Sequence, residues 1–185
     1  MMVYSDTFLK CLNFVLRQEG GLSNHSDDKG GATNYGISTR FLNAHGINKK
    51  VTDLTVEDVR QIYYTYIWLP SQAEKFENLT VQLFLFDCAV NHGINASASL
   101  LQQVLNFLTP NVKSAELLNV DGIIGPKTLK AYNNVVASIN ESLLFETMKL
   151  VRGGYYLHII ERDPTQKVFL KGWLRRNMEV FSQIK

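Results

Sequence analysis

The sequence predicts a mainly α-helical protein with a small β-hairpin or loop region after its first helix. Three observations carry that expectation. Apolar residues recur at three- and four-residue steps along most of the chain. Glycine, proline, asparagine and aspartate punctuate the borders of those stretches. No segment sustains the two-residue alternation of a half-buried strand.

Phe8, Cys11, Leu12, Val15 and Leu16 form the stripe of an amphipathic first helix. Ser5 or Asp6 can cap its start, and Gly20-Gly21 stops it. Residues 22–46 are rich in Gly, Asn, Ser and Asp and read as loop, with a small hairpin around residues 32–38. Thr55 opens a second helix, with Asp58 completing a variant capping box. Val56, Val59, Ile62, Tyr63 and Tyr66 are its stripe, and Pro70 lies just past its end. A third helix spans about residues 80 to 92, through Val81, Phe84, Leu85, Cys88 and Ala89, and Gly93 ends it. Ala98, Leu101, Val104, Leu105 and Leu108 mark a fourth, with Pro110 beyond. Asp121-Gly122 is a turn, and Gly125-Pro126 starts a short helix where the missing proline N–H costs nothing. A long helical pattern follows over residues 140–160, Asp163-Pro164 breaks it, and a last helix runs from about Lys167. A soft boundary near Gly93 suggests two lobes, 1–93 and 94–185, packed as one compact unit.

At 185 residues, the chain can bury roughly 70% of the surface it exposes when unfolded. Hydrophobic residues at 45% and charged ones at 19% exclude a disordered chain. A net charge of +2 is too mild for a nucleic-acid-binding face, so no nucleic-acid partner is expected. Two cysteines exclude a disulfide scaffold. Residues 1–92 hold 8 Lys/Arg and 10 Asp/Glu, and residues 93–185 hold 11 and 7. The second half is thus the basic one, either as an ordinary solvated surface or as an attractor for an anionic polymer. Lys10 and Arg17 interrupt the first apolar pattern, and no run approaches the ~18 apolar residues of a membrane span. The expectation is a soluble chain without signal peptide or stable membrane insertion. His25, His45, His92 and His158 are scattered, and no HExxH, GxSxG or phosphate loop is present, so neither metal nor cofactor is expected.

Chemistry concentrates between Glu19 and Ile37. Glu19 ends a helix, where the negative pole of the dipole disfavours a carboxylate and so suits a group that must hold a proton. The two glycines after it leave it open to a substrate. A surface glutamate at a frayed helix end would look the same. Asp28 and Thr33 follow on a Gly-rich loop that must fold back in a compact chain. A second carboxylate beside a protonated glutamate is what glycoside hydrolysis requires, and a threonine hydroxyl can orient water. Asp27 reads as turn chemistry, and Asp28 reads equally well either way.

These residues resemble a family signature. Glu19-Gly20-Gly21 followed by Asp27-Asp28-Lys29-Gly30-Gly31-Ala32-Thr33-Asn34-Tyr35-Gly36-Ile37-Ser38 is similar to that of glycoside hydrolase family 108, the phage-endolysin-like N-acetylmuramidases. The segments 63–68, 86–93, 101–106, 120–129 and 172–176 resemble the family's later motifs in order, including its peptidoglycan-binding region. The resemblance implies a lysozyme-like helical fold. It implies cleavage of the β-1,4 bond from N-acetylmuramic acid to N-acetylglucosamine, with Glu19 as the catalytic acid and Asp28 and Thr33 in supporting roles. The partners implied are peptidoglycan glycan strands, with a holin or export machinery to reach them, and the chain is expected as a monomer. The expected setting is synthesis in a bacterial cytoplasm and action in the periplasm or wall, as an endolysin or in wall opening for protein or toxin export. Alternatives are a lytic transglycosylase and an inactive wall-binding secretion module.

Further substrate contacts are expected from Gly30, Gly31 and Gly36, where the backbone can approach a glycan, and from Tyr35, which can stack on a sugar or pack over the loop. Tyr63 and Tyr66 read as core, whereas Tyr64 and Trp68, four apart on another face, read as groove walls. Asp87 and Asn91 share a face and either brace the active-site loop or, with Asn91 as contact, face the cleft. Asp121, Gly122, Gly125 and Pro126 read as turn and helix start, the lesser reading being direct wall contact, and Arg175 and Arg176 pair with acids by default or touch muramyl carboxylates. Cys11 and Cys88 read as buried thiols, the competing use being a cysteine–histidine amidase.

Overall fold

The computed structural model describes residues 2–19, 33–109 and 116–182. The chain packs as two compact units, Met1–Pro70 and Ser71–Lys185, and is mainly α as expected. In the first unit, α1 (Asp6–Glu19) buries Phe8, Cys11, Leu12, Phe14 and Val15. The hairpin pairs β1 (Thr33–Asn34) with β2 (Ile37–Ser38) in antiparallel register, Thr33 opposite Ser38 and Asn34 opposite Ile37. Its two-residue turn has φ of 53° at Tyr35 and 76° at Gly36. Positive φ at both positions is the primed geometry whose twist matches that of paired strands. Asn34 ties the hairpin to the chain ahead through its Nδ2, which donates to the Val51 carbonyl at 3.0 Å.

The segment read as loop through residue 46 holds a helix. The α2 helix (Thr39–Ala44) starts at once after β2, where Ser38 Oγ accepts the Phe41 N–H. Apart from Gly46, the glycines and aspartates of this stretch cluster before residue 37, and the compositional average over 22–46 conceals the capped turn behind them.

The α3 helix (Val56–Tyr63) begins with the expected capping box, Thr55 Oγ accepting from Asp58 N and Asp58 Oδ2 from Thr55 N. Its end departs from expectation. Tyr64–Trp68 form a π-helical turn, with the Leu69 N–H bonded to the Tyr64 carbonyl. In an uninterrupted α-helix Trp68 would project about 180° away from buried Val59. The wider turn swings it inward, and Trp68 is 0% exposed with its ring 5.4 Å from that of Phe8. The groove role expected of Trp68 is therefore corrected, because it is a core residue. A short helical turn, α4 (Leu69–Ser71), follows and includes Pro70.

In the second unit, α5 (Leu79–His92) is buried continuously from Thr80 to Ala89, as befits a helix surrounded by others. Asn78 Oδ1 caps it, accepting from Thr80 N and Val81 N. It packs with α6 (Ile94–Leu108) and α9 (Leu170–Ser182). The α7 helix (Pro126–Val136) starts on the expected Gly125-Pro126 step. The α8 helix (Glu141–Arg162) is capped by Asn140, and Asp163 caps the 3-10 turn Pro164–Phe169 that leads into α9. Gln102 explains the Asp121-Gly122 turn. Its Nε2 donates to Asp121 Oδ1 and the Ile123 carbonyl, and its Oε1 accepts the Gly122 N–H at 2.9 Å.

The polar heart of this unit is Asp87, fully buried on α5. Arg152 Nη2 of α8 donates to Oδ2 at 2.5 Å, and Arg176 Nε of α9 donates to Oδ1 at 2.8 Å. Three helices are thus tied at one carboxylate. Asp87 is expected to brace the active-site loop or to face the cleft; what it braces in the structure is the helices of the second unit.

His92 lies beside this cluster, its ring 4.9 Å from Tyr155 and 5.6 Å from Tyr156. Burial, reinforced by the Arg152 charge, pushes its pKa down to about 4 from 6.5. The unfolded chain gains this proton near pH 6.5 and the folded chain only near pH 4. Stability is therefore complete above that window and falls through it by roughly 3 kcal/mol as pH drops. The expected result is a melting temperature that declines across this range in the wild type and less steeply in His92→Gln.

Candidate active site

The C-terminal end of α1, the hairpin turn and α3 converge within the first unit. Tyr63 is 1% exposed, yet its hydroxyl reaches the hairpin and donates to the Tyr35 carbonyl at 2.8 Å. Glu19 closes α1 against the same turn. A Cβ built on Gly36 would stand 2.7 Å from Tyr63 Oη, 2.9 Å from Glu19 Cγ and 3.0 Å from Glu19 Oε2. With φ at +76° as well, only glycine lets the turn and the carboxylate lie this close. Gly36→Ala is expected to lower stability by about 2 kcal/mol through left-handed strain and crowding. Urea unfolding measures the effect.

The other expected site residues fall as follows. Thr33 and Tyr35 share the hairpin with Gly36, Thr33 as the first residue of β1 and Tyr35 as the first turn residue. Asp28, Gly30 and Gly31 lie outside the described residues, as do His25 and Asp27. Tyr64 sets its ring edge-on to Phe8 at 5.0 Å and to Tyr4 at 5.2 Å, so it joins the aromatic packing on α1. Asn91 belongs to the second unit, exposed, with Nδ2 donating to the Asp87 carbonyl of its own helix at 2.6 Å. Tyr63 is the residue that periodicity assigned only to the core. Its signal was chemical, since a phenol in an apolar stripe needs a hydrogen-bond partner when buried.

Cys11 and Cys88 are both buried. Burial pushes the Cys88 thiol up to about 12, the opposite of what a cysteine nucleophile needs. In the second unit an open groove of about 670 Å³ runs between α6 and α8, lined by Gln103, Phe107, Leu150, Gly154, Tyr155 and His158 among others.

Residues 12–93 match the model of the family described as glycosyl hydrolase 108, and residues 96–178 that of a predicted peptidoglycan domain. Among solved structures, the chain is similar to SagA of Brucella abortus at 26% identity and a TM-score of 0.74, over 96% of this chain and 92% of that one. No curated protein matches it in sequence. These two matches make the chain a glycoside hydrolase acting on peptidoglycan. Its residues 12–93 form a glycosyl hydrolase 108 domain, followed by a peptidoglycan-domain match over its second half. The family match ends at Gly93, whereas in the packing Leu79–His92 sits with the second unit.

Proposed function

We propose that this protein is an N-acetylmuramidase that hydrolyses the β-1,4 bond from N-acetylmuramic acid to N-acetylglucosamine, with Glu19 as general acid. The observation that carries the reading is the placement of Glu19, at the end of α1 and in contact with the Gly36 turn that Tyr63 clamps. Glu19 gives its proton to the glycosidic oxygen as the C1–O bond breaks, so the leaving sugar departs with a free hydroxyl. Positive charge develops at the sugar ring, and water supplies the oxygen that replaces the leaving group. In this reading Asp28 supports that charge or, with Thr33, positions the water. The same reading gives glycan contacts to Tyr35, Gly30, Gly31 and Gly36, and wall binding to the α6–α8 groove.

Mass spectrometry of digested sacculi tests the proposal. Reducing N-acetylmuramic acid ends, absent with Glu19→Gln, are the expected products. Ends in the 1,6-anhydro form would assign a lytic transglycosylase instead, and no release at all would leave a wall-binding module. The setting that suits this activity is wall opening, in phage-type lysis or in export of a protein or toxin. Deletion of the gene separates the two, through loss of lysis or retention of cargo.

A further inference from the structure

The outer face of α9 carries a stripe that the packing of the unit does not use. Asn177 and Val180 turn inward, and Arg176 reaches Asp87. Lys171, Leu174, Arg175 and Met178 follow at helical spacing and share the opposite face, all exposed. Leu174 is 41% and Met178 62% exposed. The preceding 3-10 turn extends the stripe with exposed Lys167, Val168 at 78% and Phe169 at 53%. Phe169 stacks on Trp173 with centroids 6.0 Å apart, and Trp173 rests on buried Tyr156 at 5.3 Å, which anchors the patch to the core of the unit.

The charge is one-sided. Residues 164–178 hold four basic and no acidic side chains. Asp87 takes Arg176, so Lys167, Lys171 and Arg175 remain outside. Of the neighbouring acids, Asp163 is engaged in capping Thr165 and Gln166, and Glu179 lies 3.7 Å from Arg175. A polyanionic glycan would satisfy the cations, but it offers Val168, Leu174 and Met178 no way out of water. A bilayer with anionic headgroups satisfies both, the phosphates pairing with Lys and Arg while the headgroup boundary takes up the apolar side chains. No helix among the described residues is long and apolar enough to cross a membrane, so the contact is interfacial.

We propose that the face formed by Lys167, Val168, Lys171, Leu174, Arg175 and Met178 docks the protein on the surface of an anionic phospholipid bilayer. The inference goes beyond the muramidase reading and stands independently of it.

Flotation of the purified full chain with lipid vesicles tests it. Binding is expected to vesicles in which a quarter of the lipid is phosphatidylglycerol and not to pure phosphatidylcholine, and it should weaken as salt is raised. The Lys167→Gln/Lys171→Gln/Arg175→Gln variant should lose about fivefold in affinity per charge removed. Val168→Ser/Leu174→Ser/Met178→Ser should weaken binding at unchanged net charge. Both variants should melt like wild type and clear lipid-free sacculi like wild type. Glu19→Gln should bind vesicles normally, which keeps failure of this proposal distinct from failure of the catalytic one. Equal binding to neutral vesicles, no binding to anionic ones, or wild-type binding by both variants overturns the proposal. Impaired sacculus clearing with unchanged vesicle binding would assign the stripe to the wall and overturn it too.

Discussion

Glu19→Gln is expected to abolish clearing of purified sacculi while leaving the fold intact. Glutamine matches glutamate in size, so its side chain can occupy the space beside Gly36 and Tyr63 without repacking the turn. What it lacks is a proton it can release to a leaving oxygen. General acid catalysis contributes about 10²- to 10⁴-fold, and the loss in rate should lie in that range. Glu19→Asp keeps the acid but withdraws it by one methylene from the turn, and should retain a small residual rate. Turbidity decline of sacculi measures both, with the melting temperature as a control for folding. A Glu19→Gln protein that clears sacculi at the wild-type rate would remove Glu19 from the chemistry, and the muramidase mechanism with it.

The largest effect on stability is expected at Asp87. Its carboxylate is fully buried and answers two guanidinium groups, one of which, Arg152, is itself 0% exposed. Asp87→Asn keeps the shape but leaves both cations without their counter-charge, a change that costs about 3–5 kcal/mol for a buried pair. Against total stabilities of about 5–15 kcal/mol, this is enough to unfold much of the population near physiological temperature. Urea unfolding should show the midpoint moving sharply down. The double variant Asp87→Asn/Arg152→Met removes the fully buried cation as well, and should be more stable than Asp87→Asn alone. A double variant no better than the single one would mean that the cost at Asp87 lies in packing or hydrogen bonding rather than in unpaired charge.

Much of the scaffold was legible. The stripe of α1, the capping box of α3, the Gly125-Pro126 start of α7 and the Asp163 break before the last 3-10 turn all rest on interactions within a few residues. The α2 helix escaped because its evidence, the Ser38 cap, is one hydroxyl at the end of a stretch whose average composition reads as loop. Trp68 escaped for another reason. A period of 3.6 residues cannot be projected through a π turn, and the one extra residue after Tyr64 turned a residue expected in the groove into core. Tyr63 went the other way in part, because apolar spacing places a ring but says nothing about where its hydroxyl ends.

The sequence by itself determined the helical class, the position of Glu19 at a helix end and the family signature that follows it. Each depends on which residues are neighbours along the chain. Only the tertiary structure decided that Glu19 and the Tyr63 hydroxyl both meet the Gly36 turn, and that Asp87 collects Arg152 and Arg176. These partners stand far apart in sequence, and what brings them together is the burial of apolar faces, which has no direction of its own. Hydrogen bonds and charges then select the one arrangement of those faces in which the buried polar groups find partners.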